Sequence, residues 1–302
     1  MRQLLLIILC ALALHGLAGT SWAQSAAGTP VSTQPPKAQI FCAEALWCDL
    51  ATGLGGDSVS PASVLTSPRI DPHDFQVTPD MALTLAQSSL VVMTGGHYDD
   101  WMTPLLDAQP NAARRVISAF DLAGLKPGDN PHLFDDPEAV GRVVDALARD
   151  LAALLPHKAD DIAAAQMRFH RMLDGFNARL KILRPRTQGM RIAVTEPVGG
   201  PVFAALGLEI INPDFALAVM NHVDPAPRDV ARLEEAIQQK AVKALVINPA
   251  VETPSISRLI ALAHRSGIAV VAFDEFPAPP LLWQDWMTVR LNRLAAALDI
   301  RN

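Results

Sequence analysis

The chain has 302 residues, a formal net charge of -6 and 19% charged positions. Its longest basic run, Arg114-Arg115, is too short for a phosphate-binding stripe, which excludes nucleic acid as a partner. Half of the residues are hydrophobic and the mean hydropathy is +0.21; the excess sits in an apolar run shorter than the roughly 20 residues of a membrane-spanning helix, and no later stretch is as apolar without a charge or a proline, so an integral membrane protein is excluded too.

That run, Leu4 to Ala18, follows Met1-Arg2 and precedes the small-x-small pattern Ser21-Trp22-Ala23, so residues 1–23 read as a secretory signal peptide cleaved near Ala23. No cysteine follows the cleavage site directly, and the expected destination is the periplasm. Residues 24–37, rich in Ser, Thr, Pro and Gln, read as a flexible leader. A short apolar strand over 38–43 is followed by helical spacing over 45–54 that stops at Gly55-Gly56, a strand over 58–65, a helix over 79–87 and an apolar strand over 90–94. Cys42 and Cys48, six apart in an oxidising compartment, are either a disulfide or two buried thiols. Two helical patterns follow over 137–155 and 157–183, the second too long for an ordinary crossover and read as a rigid strut ending at Pro185. The alternation then restarts: strands over 190–194, 216–220, 244–247 and 269–273, helices over 201–206, 228–239 and 255–266, and a last helix over 286–298. The predicted fold class is α/β, two lobes with parallel sheets flanked by helices (38–156 and 186–302), joined by one long rigid helix (157–185). The cleft between the lobes is the expected site.

No nucleophile elbow, phosphate-binding loop, dinucleotide fingerprint or His-Glu-x-x-His occurs, so an enzyme is disfavoured. What stands out is polar chemistry at strand ends. His73 lies in Asp71-Pro72-His73-Asp74-Phe75, after the second strand, and His132 in Asn130-Pro131-His132-Leu133-Phe134-Asp135. Glu196 follows the first strand of the second half and Asp274-Glu275 follow its last. In open α/β sheets ligands bind beyond the carboxyl ends of strands. Two imidazoles and two carboxylates would suit Zn²⁺ or Mn²⁺ better than Ca²⁺ or Cu⁺. Each residue also has a plain reading as a turn or helix-capping side chain.

Asp71-Pro72-His73-Asp74-Phe75 with Thr78-Pro79, Ser89 to Gly95 with Tyr98-Asp99-Asp100-Trp101, and Asn130-Pro131-His132-Leu133-Phe134-Asp135-Asp136-Pro137 together resemble the periplasmic solute-binding proteins of zinc and manganese ABC transporters. The resemblance implies a divalent ion held between the lobes and delivered to a membrane permease by a receptor expected to be monomeric. It implies His73, His132, Glu196 and Asp274 as ligands, with Glu275 one register step from Asp274. Glutamate at position 196 fits the manganese type, whereas many zinc members have histidine there. His97, after the 90–94 strand, is a further candidate; His222 follows another expected strand but is left outside the set, and His157, His170 and His264 fall on helices. The competing reading is a secreted metallohydrolase on the same ligands, with Asp74 or Glu275 as base.

Overall fold

In a computed structural model, residues 36–277 and 282–300 are described; the signal segment, nearly all of the leader and a short stretch before the last helix lie outside them. The first lobe contains β1 (Ala38–Glu44), α1 (Ala45–Gly55), β2 (Val59–Leu65), α2 (Pro79–Gln87), β3 (Leu90–Met93), α3 (Met102–Asp107), β4 (Arg115–Ser118), α4 (Ala119–Ala123) and α5 (Pro137–Leu154). The second contains β5 (Arg191–Val194), α7 (Gly200–Leu206), β6 (Glu209–Ile210), α8 (Pro213–Met220), α9 (Pro227–Gln238), β7 (Ala244–Ile247), α10 (Pro254–Ser266), β8 (Ala269–Ala272) and α11 (Trp283–Ala297). Between them runs α6 (Ala159–Thr187), 29 residues long.

The two sheets have the same plan. Their orders are β2-β1-β3-β4 and β6-β5-β7-β8, and every pairing is parallel, for instance Ile40 with Leu90 and Ala193 with Leu245. Because parallel strands are covered by helices on both faces, the central ones read as unbroken apolar runs: all four residues of β3 are buried. In each sheet the strand order reverses between the first and third strands, and a crevice opens there at the carboxyl ends. The crevices lie beyond Glu44 and Thr94 in one sheet and beyond Glu196 and Asn248 in the other.

Local signals place these elements. Thr78 precedes Pro79 at the start of α2, Asp136 accepts from Glu138 N–H to cap α5, and Thr253 caps α10 from Ile256 N–H. Cys42 on β1 and Cys48 on α1 are joined as a disulfide with a Cα–Cα distance of 5.6 Å. The main hydrophobic cluster is continuous through both lobes, taking in Ile40 and Leu90 from the first sheet, Leu173 and Phe176 from α6, Ile192 and Val246 from the second sheet, and Trp283 from α11. A second cluster around Leu233, Leu245 and Leu259 fills the outer side of the second lobe.

Three differences from the sequence reading have physical causes. Residues 216–220, read as a strand, belong to α8, which Pro213 opens at a first-turn position; the strand in that place is the two-residue β6. The edge strand β4 carries two exposed residues and begins with Arg115, so it lacks the apolar run that marks the central strands. Pro185 does not end the strut: it lies in the last turn of α6, where Gln188 N–H still reaches Arg184 C=O at 2.9 Å. Among the described residues no helix is long and apolar enough to cross a membrane.

Candidate metal centre

The cleft is built from four segments at strand or helix ends. A short turn, Pro72–Asp74, follows β2 and presents His73; Asp71 opens it by accepting from His73 N–H at 2.9 Å. The turn Leu133–Asp135 directly after His132 leads into α5. Glu196 lies two residues after β5, and Glu275 three residues after β8.

Both imidazoles are oriented by their other nitrogen. His73 Nδ1 is 3.0 Å from the carbonyl oxygen of His97, which can only accept, so Nδ1 carries the proton. His132 Nδ1 is 2.6 Å from Asn130 Oδ1; the Asn130 amide is itself oriented because its Nδ2 donates to Pro197 C=O at 2.8 Å. In each ring the proton on Nδ1 leaves a lone pair on Nε2, which is the arrangement of a metal-ligating histidine held by an outer hydrogen bond. His73 Nε2, His132 Nε2 and Glu275 Oε2 are all buried atoms without a hydrogen-bond partner. Ligand atoms of these three residues lie within 4.8 Å of one another, and His132 Nε2 is 3.8 Å from Glu275 Oε2. Buried polar atoms seldom stay unpaired, so three that converge on one point form a candidate place for a cation. Tyr98 walls the cluster, its ring centroid 5.0 Å from His73 and 5.6 Å from His132.

Glu196 stands beside the cluster. Asn248, at the end of β7, donates through Nδ2 to Glu196 Oε2 and to Glu275 Oε1, the latter at 2.6 Å, and so bridges the two buried carboxylates. The Asn248 side chain is held in turn by Ala250 N–H, which donates to Oδ1 at 3.0 Å.

Burial dominates the electrostatics. It lowers the pKa of His73, and it lowers that of His132 far more, with the charges of His73 and Arg290 adding to the effect. Both rings are therefore neutral at neutral pH and ready to ligate. Burial raises Glu196 to about 7 against the hydrogen bond from Asn248, and raises Glu275 well above the carboxylate range with Glu196 as the next cause. Burial thus favours the protonated form of both carboxylates, and a cation bound beside them would favour the ionised form.

Of the six candidate residues, the structure brings His73, His132 and Glu275 together and sets Glu196 next to them. Asp274, preferred from the sequence, points elsewhere: it is half-buried and lines a surface pocket with Pro68, Arg69, Pro249, Ala250 and Glu252. The side chain of His97 is exposed and pairs with Asp100 Oδ2 at 2.8 Å; its contribution to the cleft is its backbone carbonyl. His222 follows a helix rather than a strand and sits 3.7 Å from Asp71 Oδ2 at the rim. Asn248 escaped the sequence reading, although it follows β7 in the same relation that brings Glu196 after β5.

The chain is similar in fold to several solved metal-binding proteins. A periplasmic zinc-binding protein, TroA from Treponema pallidum, superposes with a TM-score of 0.75 at 17% identity, covering 88% of this chain and 100% of the other. A ZnuA structure gives 0.70 at 19% identity, with 86% and 99% covered, and FpvC from Pseudomonas aeruginosa in complex with Mn²⁺ gives 0.71 at 16%, with 87% and 98% covered. No curated protein matches by sequence. The family profile described as zinc-uptake complex component A, periplasmic, matches residues 40–297. The match runs from β1 through α11, and the chain belongs to this ZnuA family of periplasmic metal-uptake components.

Proposed function

We propose that the mature chain is a periplasmic receptor that captures one divalent transition-metal ion in the cleft and hands it, as a monomer, to the permease of a metal ABC transporter. The reading rests on the convergence of three unpaired buried atoms, His73 Nε2, His132 Nε2 and Glu275 Oε2. Glu196 completes the set from beside Asn248. The ion is cargo and undergoes no covalent chemistry; the chain's part is to hold neutral imidazoles and release carboxylate protons as the ion arrives. Zinc is the favoured cargo, since these nitrogen and oxygen donors bind it more strongly than manganese and the family is one of zinc uptake. The hydrolase alternative would use Asp74 or Glu275 as a base, and of these Glu275 has its Oε2 among the candidate ligand atoms.

Elemental analysis and chelator competition with Zn²⁺ and Mn²⁺ test this on the wild type and on His132→Ala, Glu275→Gln and Asp274→Ala. The expected result is one tightly bound equivalent, tighter for Zn²⁺, lost in His132→Ala and Glu275→Gln and kept in Asp274→Ala. Binding that ignores the first two changes would remove the site; loss in Asp274→Ala alone would return the fourth ligand to position 274.

A further inference from the structure

The segment carrying His132 precedes α5 in the first lobe, yet its polar bonds run to the second. Asp135, completely buried, accepts from Gly199 N–H and from Arg290 Nη1. Gly199 lies three residues after Glu196. Arg290, on α11 and 1% exposed, has its guanidinium 4.2 Å above the ring of Phe273 and 4.1 Å from that of Trp286, and Phe273 lies two residues before Glu275. One buried ion pair thus touches the segments bearing His132, Glu196 and Glu275. Two further bonds tie the same loop across: Trp283 Nε1 donates to Phe134 C=O at 2.9 Å, and Asn130 Nδ2 to Pro197 C=O. His73 is held differently, by Asp71 and by the His97 carbonyl within its own lobe.

We propose that Asp135 and Arg290 are positioning residues for metal binding: their ion pair couples the His132 segment to the second lobe and sets the spacing between His132 and the two carboxylates. The inference rests on the metal-site reading above. Arg290 suits this role better than lysine would, because a planar guanidinium can stack between two rings while its edge meets a carboxylate. Gly199 is required at its place: its φ is +84°, and a Cβ there would come within 2.8 Å of Phe273. A donor set built by two lobes is only as good as the distance between them, and small displacements of ligand-bearing segments are felt directly in affinity.

The test measures Zn²⁺ affinity by chelator competition and the visible absorption of the Co²⁺-loaded mature chain for Arg290→Met, Arg290→Lys, His132→Ala and, as a control, Leu233→Ala in the outer core of the second lobe. Arg290→Met is expected to weaken Zn²⁺ binding about tenfold or more and to shift the Co²⁺ bands, an effect in the range seen for residues that orient ligands. Arg290→Lys keeps the charge and guards against a failure to fold; it is expected to weaken binding by about threefold with a smaller spectral change. Leu233→Ala should lower the melting temperature and leave both metal readouts unchanged. A folded Arg290→Lys and Arg290→Met with wild-type affinity and spectrum would overturn the proposal, as would a Leu233→Ala protein that loses affinity to the same degree. His132→Ala separates the two layers: wild-type binding in that variant sinks the metal site itself, whereas its loss beside intact Arg290 variants sinks only the positioning role.

Discussion

Asn248 shows how much depends on one amide. Its two N–H groups are spent on Glu196 and Glu275, so the carboxylates share a neutral donor where their negative charges would otherwise face each other unrelieved. Asn248→Leu should weaken Zn²⁺ binding by about 10- to 100-fold, the range for lost outer-shell partners; an affinity within twofold of wild type by chelator competition would mean that the ligands orient themselves. The same pair sets a pH dependence. Glu196 has its pKa raised from 4.5 to about 7, so it favours the folded metal-free state while protonated, and that contribution is present below about 4.5 and lost as pH rises through about 7. The two histidines act in the opposite sense, since their lowered values disfavour the folded state in acid. In thermal melts of chelator-treated protein between about pH 5 and 8, wild type should therefore lose on the order of 1–3 kcal/mol relative to Glu196→Gln. Parallel melting curves at all pH values would show that Glu196 is ionised throughout. At this scale the nearness of His73 and His132 was legible because each sits in a distinctive turn sequence. The choice between Asp274 and Glu275 was not, because adjacent side chains in extended chain point to opposite sides and a one-residue slip changes which one faces the cleft.

Elements were legible where burial is two-sided and caps are strong. The central strands β1, β3, β5 and β7 announce themselves as apolar runs, and Pro79, Pro137 and Pro254 open helices at first-turn positions. The edge strands β4 and β6 are hidden in the sequence, one by its exposed residues and the other by its two-residue length, and α8 reads there as a strand because a short apolar run has no readable period. The disulfide is a feature of the β1–α1 corner that spacing left open. It closes a six-residue interval between the end of β1 and the first turn of α1. Closing so short a loop removes little chain entropy, so Cys42→Ala with Cys48→Ala should cost about 2 kcal/mol in denaturant unfolding, leaving Zn²⁺ affinity near wild type. A fall of more than tenfold in affinity would instead make the bridge part of the floor of the metal cleft.

At the scale of the whole molecule, the lobes are less independent than their matching sheets suggest. The main core passes from the first sheet through Leu173 and Phe176 of α6 to Trp283 of α11 and on to the second sheet, so neither lobe closes its interior alone. Each lobe is also tied to the other beneath the cleft by Trp283, Asn130 and the Asp135–Arg290 pair. A hinge that opened widely would have to separate these contacts and expose apolar surface, whereas a shift of the His73 turn would break its bonds to Asp71 and the His97 carbonyl and disturb the packing of His73 on Tyr98 and of Phe75 on Trp101 within one lobe. The metal-free protein should therefore unfold in a single transition in calorimetry, with calorimetric and van't Hoff enthalpies in agreement. Zn²⁺ at about 100 times its dissociation constant should add about 2.7 kcal/mol, a rise of about 5–10 °C for a chain of this size. The radius of gyration in solution scattering, about 19 Å for a compact chain of this length, should change by less than about 1 Å when the ion binds. Two separate melting transitions, or a compaction of several ångströms on adding Zn²⁺, would mean that the shared core yields before the ligands do and that capture works by closing the lobes.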